Sequence, residues 1–286
     1  AGRGGDGAGR GDHAEGEMTA TKIEWADRVW NPVAGCTIVS PGCTNCYAMR
    51  MAHRIGKSLG AKKKYGGLTK VVNGHPVWTG EVRLVESALD LPLRWKKPAR
   101  IFVNSMSDLF HEDVPDKWLF AIMGPMIAAS WHTFLVLTKR PERMRAFIKK
   151  RGYPAFPNIW WGVSVEDRER LSRIGILRGT PAAIRFISFE PLLEDMGEID
   201  LRGIHWVIVG GESGPGARPC GLAWIRRIRR QCRDARVPLF VKQIGAMPVG
   251  FWTNSLGPHV THRDFKDRKG GDPAEWPADL RVRQFP

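Results

Sequence analysis

Three of the five cysteines lie within eleven residues near the start of the chain, at Cys36, Cys43 and Cys46. A Pro-Gly turn separates the first two. Cys43 and Cys46 are three residues apart, and if a helix begins there, both thiolates would point to one place. Three thiolates without a fourth protein ligand nearby suit a [4Fe–4S] cluster whose fourth iron stays open to bind another molecule. The spacing therefore predicts an iron–sulfur site.

Two other interpretations of these cysteines stay open. Structural zinc usually takes four ligands, and His53 could supply the fourth. Three buried cysteines without a metal are the simplest alternative. A disulfide would leave one of the three unpaired, and the rest of the chain does not resemble a small secreted scaffold. The spacing favours iron–sulfur over zinc and over inert thiols.

The composition is that of a soluble globular protein. The chain has 286 residues, of which 43% are hydrophobic and 26% are charged. No apolar stretch approaches the roughly 18–20 residues of a membrane span, and the first residues do not form a signal peptide. We therefore expect a cytoplasmic monomer with reduced thiols and no membrane partner.

The charge balance points to a polyanionic partner. Forty-four Lys and Arg stand against 29 Asp and Glu, so the net charge is +15. A basic surface of this size attracts polyanions, of which nucleic acid is the commonest. A general basicity without function is the alternative. The candidate nucleic-acid contacts are Lys62, Lys63, Lys64, Arg140, Arg218 and Lys242.

The elements that position these residues follow a strand–helix rhythm. Residues 1–19 are rich in Gly and charge, so we expect a disordered tail. Apolar runs near residues 30–33, 101–103, 133–137, 159–163, 184–187, 206–209 and 239–241 predict parallel strands with both faces covered. Residues 20–247 are then expected to form an α/β fold, a complete or partial (βα) TIM-type barrel, with a doubly wound sheet as the alternative. Residues 248–286 lack this rhythm and are expected to form a C-terminal extension packed on the barrel.

Polar residues collect where these strands end. Active sites of (βα) barrels lie at the carboxyl ends of the strands, so these residues are predicted to face one cavity. Helix capping explains one or two serines among them. The candidates are Asn104, Ser107, Asp108, Lys139, Ser164, Glu166, Glu190, Gly210, Gly211 and Glu212.

Seven motifs resemble one family. They are Cys-Thr-Asn-Cys-Tyr at 43–47, Asn-Ser-Met-Ser-Asp-Leu-Phe at 104–110, Leu-Thr-Lys-Arg-Pro-Glu-Arg-Met at 137–144, Gly-Val-Ser-Val-Glu at 162–166, Phe-Glu-Pro-Leu-Leu at 189–193, Gly-Gly-Glu-Ser-Gly-Pro-Gly-Ala-Arg-Pro at 210–219 and Val-Lys-Gln at 241–243. From about residue 21 to the C-terminus the chain resembles the phage-associated three-cysteine-motif family of unknown function. More distantly it resembles radical S-adenosylmethionine (SAM) enzymes, and among them the spore photoproduct lyases.

That wider resemblance implies a [4Fe–4S] cluster held by three cysteines after the first barrel strand, with SAM on the open iron. The usual CxxxCxxC spacing is departed from here, because six residues separate Cys36 from Cys43 and Asn45 replaces an aromatic residue. An electron donor such as flavodoxin or ferredoxin is implied as a partner. The resemblance assigns Asp108 to the SAM amino group, Lys139 to its carboxylate and Ser164 or Glu166 to its ribose.

The remaining assignments concern the reaction. Cys220 is the candidate hydrogen donor, and Glu212 and Tyr47 complete the predicted catalytic set. The leading hypothesis is a radical SAM enzyme acting on nucleic acid, as a DNA photolesion lyase or a base-modifying enzyme. The alternatives are a nucleic-acid-binding phage or defence protein with a structural metal, and a radical enzyme acting on a protein or small molecule.

Overall fold

The computed structural model describes residues 21, 23–250 and 265–286. The predicted disordered tail, residues 1–19, lies outside the described residues. The strands are β1 (Arg28–Trp30), β2 (Val33–Ala34), β3 (Thr69–Val72), β4 (His75–Trp78), β5 (Arg83–Leu84), β6 (Arg100–Val103), β7 (Thr133–Thr138), β8 (Ile159–Ser164), β9 (Ile184–Phe189), β10 (Trp206–Gly210), β11 (Cys220–Gly221), β12 (Leu239–Gln243) and β13 (Pro248–Val249). The α-helices are α1 (Tyr47–Ile55), α2 (Lys62–Tyr65), α3 (Leu91–Arg94), α4 (Asp116–Ala128), α5 (Pro141–Arg151), α6 (Ser172–Arg178) and α7 (Leu222–Asp234).

Seven strands form one parallel sheet in the order β1-β6-β7-β8-β9-β10-β12. The predicted apolar runs form these strands, which confirms the parallel α/β sheet. The first strand begins earlier than expected and ends at Trp30, because the next two residues of regular structure, Val33 and Ala34, pair with β5 instead. Neighbours in the sheet follow one another along the chain apart from the small strands, so the polar strand ends share one edge.

The crossover helices α4, α5, α6 and α7 lie on one face of the sheet. Their buried side chains share a single cluster with alternate strand residues such as Val103, Val136 and Val209. The other alternate residues, among them Leu135 and Trp206, form a separate aromatic cluster. A doubly wound sheet would carry helices on both faces. The arrangement therefore favours a partial barrel over a doubly wound sheet.

The sheet curls into a half-barrel around its aromatic face. The Trp25 ring lies 4.7 Å from Phe102 on β6 and 6.3 Å from Trp206 on β10, so those two rings are at most about 11 Å apart. In a flat sheet, the four strand spacings between β6 and β10 would separate them by about 19 Å. Only a strongly curved sheet lets one indole contact both. In the described residues, β1 and β12 are not paired, so a closed TIM-type barrel is not formed by them.

Phe285 packs on the inside of this curve, whereas Phe265, Trp276 and Leu280 of the same segment, residues 265–286, pack with the helix-side cluster. The Phe285 ring lies 5.3 Å from both Trp206 and Phe240, and the Arg100 guanidinium sits 4.2 Å above it. The Val241 amide donates to Val282 O at 2.8 Å, which ties this segment to β12. Aromatic rings thus pack on the concave face of the half-barrel, and the candidate site residues lie at the carboxyl ends of the strands.

Candidate functional site

The cysteine loop, residues 35–46, leaves β2 and ends at α1. Its Pro41–Cys43 segment forms a 3-10 turn in which the Cys43 amide donates to Ser40 O at 2.9 Å. Helix α1 begins directly after Cys46, and the Arg50 amide donates to the Cys46 carbonyl at 3.3 Å. The helix start after the third cysteine agrees with the spacing in the sequence.

All three cysteines line one cavity of about 160 Å³. The carboxyl ends of β6, β7 and β8 form its other walls. The polar strand-end residues that line it are Asn104, Ser107, Asp108, Lys139, Arg140 and Ser164. Residues that are far apart in the sequence are therefore brought together at one edge of the sheet, as the parallel topology predicts.

Asp108 organises the wall of the cavity. Its Oδ1 accepts hydrogen bonds from the Phe110 amide at 2.9 Å and the Thr138 hydroxyl at 2.7 Å. Its Oδ2 accepts from the Lys139 amide at 3.0 Å and from Arg140 Nη1 at 3.1 Å. Four donors occupy the two oxygens of this buried carboxylate. Asp108 thus holds two strand ends together and has little capacity left for the amino group of a ligand.

Arg140 points into the cavity rather than to an outer surface. Only 10% of its side chain is exposed. Its Nη1 lies 3.8 Å from Cys36 Sγ, its Nη2 donates to the Thr37 hydroxyl at 2.6 Å and its Nε donates to Glu112 at 2.7 Å. This guanidinium is therefore committed to the cysteine loop, which differs from the nucleic-acid contact expected of it.

Burial disfavours the thiolate form of two of the cavity cysteines, Cys36 and Cys46. Burial, reinforced by the charge of Asp108 and opposed by Arg140, raises the pKa of Cys36 to about 12. Burial also raises the pKa of Cys46, against the backbone amides of α1 and the charge of Lys139. A metal that binds thiolate displaces such protons outright. The Cys36 and Cys46 thiols are therefore neutral near pH 7, and metal binding would release their protons.

Three groups that line the cavity have unused hydrogen-bonding or ionic capacity. Asn104 is buried with a positive φ of 61°, and its Oδ1 accepts from the Val33 amide at 3.3 Å, whereas its Nδ2 has no partner in the described residues. Among those residues, no hydrogen bond engages the Ser164 hydroxyl and no ion pair engages the Lys139 ammonium. Buried polar atoms are rarely left unpaired, so this wall is suited to a polar ligand.

Glu166 packs against the cysteine loop from below. It is fully buried, and Arg173 Nη1 donates to its Oε2 at 2.9 Å. Its Oε1 has no partner among the described residues. A Cβ placed on Gly42 would lie 3.0 Å from the Glu166 Cδ, so a larger residue at position 42 would require the Glu166 side chain to shift. Glu166 is predicted from the sequence as a ligand contact, and here it also shapes the loop.

Glu212 holds the cysteine loop from the other side. Its carboxylate accepts from Asn45 Nδ2 at 3.0 Å and from the Arg218 amide, Nε and Nη2 at 2.9, 3.0 and 2.7 Å. Arg50 adds hydrogen bonds to the carbonyls of Asn45, Ser213 and Pro215. Glu212 and Arg218 therefore act as an anchor for the loop, and the catalytic role of Glu212 and the phosphate contact of Arg218 stay predictions.

A family model described as "Protein of unknown function (DUF5131)" matches residues 20–270. The chain belongs to the DUF5131 family. Neither a curated protein nor a solved structure matches it. The family description carries no activity, so the function of this DUF5131 protein has to be argued from its site.

Gly210 and Gly211, at the end of β10, lie against protein neighbours that leave little room for a side chain. A Cβ on Gly211 would lie 2.7 Å from Ile244 O and 2.8 Å from Cys220 Cβ. A Cβ on Gly210 would lie 2.9 Å from a Glu190 carboxylate oxygen. In this DUF5131 protein, the backbone at Gly210 and Gly211 therefore lies close to other atoms of the protein itself.

The predicted catalytic cysteine is buried. Cys220 has no exposed surface, and burial raises the pKa of its thiol to about 12. It packs behind Gly211, and it is not among the residues that line the cavity. Tyr47, in contrast, is 52% exposed at the start of α1. Of the predicted catalytic set, Tyr47 is thus the residue that solvent reaches.

Lys242 and Glu190 form a shielded ion pair at the ends of β12 and β9. The Lys242 Nζ lies 2.9 Å from Glu190 Oε1, and the Ser188 hydroxyl donates to Oε2 at 3.0 Å. Burial lowers the pKa of Lys242, but the Glu190 carboxylate outweighs it and raises the pKa overall. The expected phosphate contact through Lys242 would have to compete with this pair.

His53, the candidate fourth zinc ligand, faces the β3–β4 hairpin. Its Nδ1 lies 3.2 Å from the Thr69 hydroxyl, and it is not among the residues that line the cavity. Within residues 21, 23–250 and 265–286, no three His, Cys, Asp or Glu side chains are grouped closely enough to hold a metal ion. The three sulfurs share a cavity, and metal binding requires them to converge further. No helix in the described ranges is long and apolar enough to cross a bilayer.

The sequence interpretation missed several residues that support the cysteine loop. Thr37 and Glu112 hold Arg140, and Arg173 holds Glu166. Arg50 lies four residues after Cys46, which places it one helical turn beyond the third cysteine. The contacts of Arg140 with Thr37 and Glu112 join residues distant in the chain, so no local pattern indicates them.

Proposed function

We propose that this DUF5131 protein binds a [4Fe–4S] cluster through Cys36, Cys43 and Cys46, binds SAM beside it, and acts on nucleic acid as a radical SAM-type enzyme. The observation that carries the proposal is the single cavity of about 160 Å³ that the three thiols share with the ends of three parallel strands. A cavity walled by these thiols and by polar strand ends combines a metal-ligand set with a small-molecule site.

The residues around the thiols fit such a group in their chemistry. Three thiolates and no fourth protein ligand leave one iron open. Arg140 beside Cys36, and the charge of Lys139 near Cys46, offset the negative charge that the thiolates acquire on binding metal. The convergence that the sulfurs still need is a movement of the cysteine loop, which is held at its margins by Glu166, Glu212 and Arg140.

A cluster held by Cys36, Cys43 and Cys46 would supply one-electron reduction to a SAM molecule bound beside it. The chain itself binds and orients. Asn104 Nδ2 and the Ser164 hydroxyl offer hydrogen bonds to a polar ligand, and the Lys139 ammonium offers a charge to its carboxylate. The Asp108 network fixes the strand ends that carry these groups.

Nucleic acid is the proposed substrate because the chain carries a net charge of +15. Repair of a DNA photolesion is the sharper form of the proposal, and it rests on the resemblance of the motifs to spore photoproduct lyases. Base modification rests on the same chemistry. In either case an external reductant such as flavodoxin or ferredoxin would deliver the electron.

The test is anaerobic purification followed by iron and sulfide analysis and electron paramagnetic resonance of the reduced protein, with and without SAM. We expect about four iron atoms per chain and a [4Fe–4S]⁺ signal that changes when SAM is added. Replacement of any one of Cys36, Cys43 and Cys46 by alanine should abolish the signal. Cys232→Ala is the matched control, since that cysteine is buried in α7 away from the cavity.

Zinc in stoichiometric amount, or no metal in anaerobically handled protein, would overturn the radical mechanism. A cluster signal that does not change when SAM is added would indicate a structural cluster and would contradict the proposed enzyme activity. Asn104→Ala and Ser164→Ala provide a second readout, because they should weaken the response to SAM while iron content stays at the wild-type level.

A further inference from the structure

The segment from Arg28 to Gly80 contains no acidic residue. It carries eight Lys and Arg, and so accounts for more than half of the net charge of +15. Elsewhere, cations and carboxylates are mixed: on α7, Arg226 and Arg227 pair with Asp279 and Asp195, whereas Arg229 and Arg230 have no ion pair within the described residues. The stretch around the cysteine loop differs in that it contains no carboxylate side chain of its own.

Six cations of this segment are without an ion pair in the part of the chain that the structure describes. They lie on the second half of α1, on the following turn, on α2 and on β3, and all but Lys64 are exposed. They are Arg54, Lys57, Lys62, Lys63, Lys64 and Lys70. Unpaired cations held close together attract a polyanion, because each phosphate contact releases a condensed counterion.

The strands β3 and β4 form a two-stranded ribbon that projects from this basic surface. They pair antiparallel through Val71↔Pro76 and Val72↔His75, and residues 70–75 are all exposed. The turn is Asn73-Gly74 with φ values of 49° and 78°, the left-handed pair that a tight hairpin requires. Val71 and Val72 expose 57% and 42% of their surface at the tip.

The base of the ribbon is part of the cavity wall. Trp78 lines the cavity and pairs with Thr69, and helix α1 packs along β4. His75 lies three residue steps from Trp78 along β4, so the tip reaches about 10 Å away from the cavity. A polymer bound along the ribbon would pass beside the cysteines.

We propose that the ribbon, together with α2, binds double-stranded DNA, with the ribbon in the major groove and the lysines on the flanking phosphates. A two-stranded ribbon fits the major groove of B-DNA, which is about 12 Å wide, whereas the major groove of A-form RNA is too narrow. The exposed valines suit contact with thymine methyl groups. This inference rests on the proposed function and names the surface that would hold its substrate.

The test is fluorescence anisotropy of the full chain with a labelled 20-base-pair DNA duplex, an RNA duplex of the same sequence and single-stranded DNA, at salt concentrations from 50 to 200 mM. The variant Lys62→Ala/Lys63→Ala/Lys70→Ala removes three exposed cations. The matched control is Lys96→Ala/Lys97→Ala/Lys149→Ala, which removes three exposed lysines near the opposite edge of the sheet. Val71→Glu probes the ribbon itself.

We expect the wild type to prefer duplex DNA over duplex RNA. The Lys62/Lys63/Lys70 variant should lose on the order of 100-fold in affinity at 0.1 M salt, and its log–log salt slope should fall by about 2.7, at about 0.9 per phosphate. Val71→Glu should weaken DNA binding, and the control should bind as the wild type does. Unchanged melting temperatures would exclude misfolding.

Equal binding by the variant and the control would overturn the inference, as would equal or tighter binding of duplex RNA. Binding of a protein partner that is lost in Val71→Glu but insensitive to salt would identify a strand-addition surface instead. Iron content is measured on the same samples. Full iron without DNA binding refutes only this inference, and DNA binding by protein that never takes up iron refutes only the radical mechanism.

Discussion

Replacing Glu212 by alanine should loosen the cysteine loop far more than it loosens the rest of the protein. The carboxylate is buried and accepts one hydrogen bond from Asn45 and three from Arg218. A hydrogen bond to a charged group contributes about 1.5–3 kcal/mol. Arg218 is 31% exposed and regains water, so we count one such bond in full, or about 2 kcal/mol.

Alkylation of the thiols measures this loosening directly. If iodoacetamide reaches Cys46 through local opening of the loop, then about 2 kcal/mol corresponds to roughly a 30-fold faster reaction in metal-free protein. Asn45→Ala removes the hydrogen-bond donor on the loop and should make Cys46 alkylation about fivefold faster. In the Glu212→Ala/Asn45→Ala double variant, the free-energy effects of the two substitutions should sum to less than their separate values, because both remove the same contact. Mass spectrometry resolves Cys46 from Cys220 and Cys232, whose buried thiols report on global unfolding in the same sample.

The matched control is Glu169→Ala, since that carboxylate is 81% exposed and should leave every rate unchanged. Burial raises the pKa of Glu212, but Arg218 and Asn45 outweigh it and lower the pKa overall. A lowered carboxyl pKa means that the protection is present above pH about 4.5 and is lost as the pH falls through the folded-state value. Equal acceleration at Cys46 and Cys220 in Glu212→Ala would refute the anchor, because the effect would then be global.

Three further outcomes are expected. Gly42→Ala should destabilise the fold by about 1–2 kcal/mol in urea titrations, because the new Cβ meets Glu166 at 3.0 Å, and a second substitution Glu166→Asp should restore part of it. In metal-free protein, the rate of Cys36 alkylation should rise about tenfold per pH unit from pH 8 to 10 without levelling off. The free energy of unfolding should fall above pH about 9, because the Cys36 thiol ionises at a lower pH in the unfolded chain than in the folded protein. A plateau near pH 9 would contradict the raised pKa. Trp25→Ala should cost about 3–5 kcal/mol by thermal or chemical denaturation, whereas Trp131→Ala, at a 40% exposed residue, should cost far less.

The sheet and the meeting of cysteines with strand ends follow from the sequence. Continuous apolar runs such as Thr133–Thr138 predict strands, and their even spacing predicts a parallel sheet. Once strands are parallel, the residues after each strand share one edge. That geometry alone brings Asn104, Lys139 and Ser164 to the same cavity as the cysteines.

The direction of individual charged side chains does not follow from the sequence. Arginine is a residue type that commonly binds phosphate, yet Arg140 contacts Cys36 and Arg218 pairs with Glu212. Each choice depends on a partner more than a hundred residues away or on a turn within a loop, which no local pattern encodes. The β3–β4 ribbon, in contrast, had a local signal in Asn73-Gly74 between apolar residues.

The aromatic cluster on the concave face of the half-barrel has a consequence for the order in which the chain folds during synthesis. Trp25, at 6.3 Å, and Phe285, at 5.3 Å, both contact Trp206, although they lie at opposite ends of the described chain. During synthesis, β1 to β10 can pair before residue 285 exists, but the concave face stays exposed until that residue arrives. A ribosome-bound intermediate with an open apolar trough is therefore built into this topology, and chaperones that shield aromatic surface should engage it at that stage.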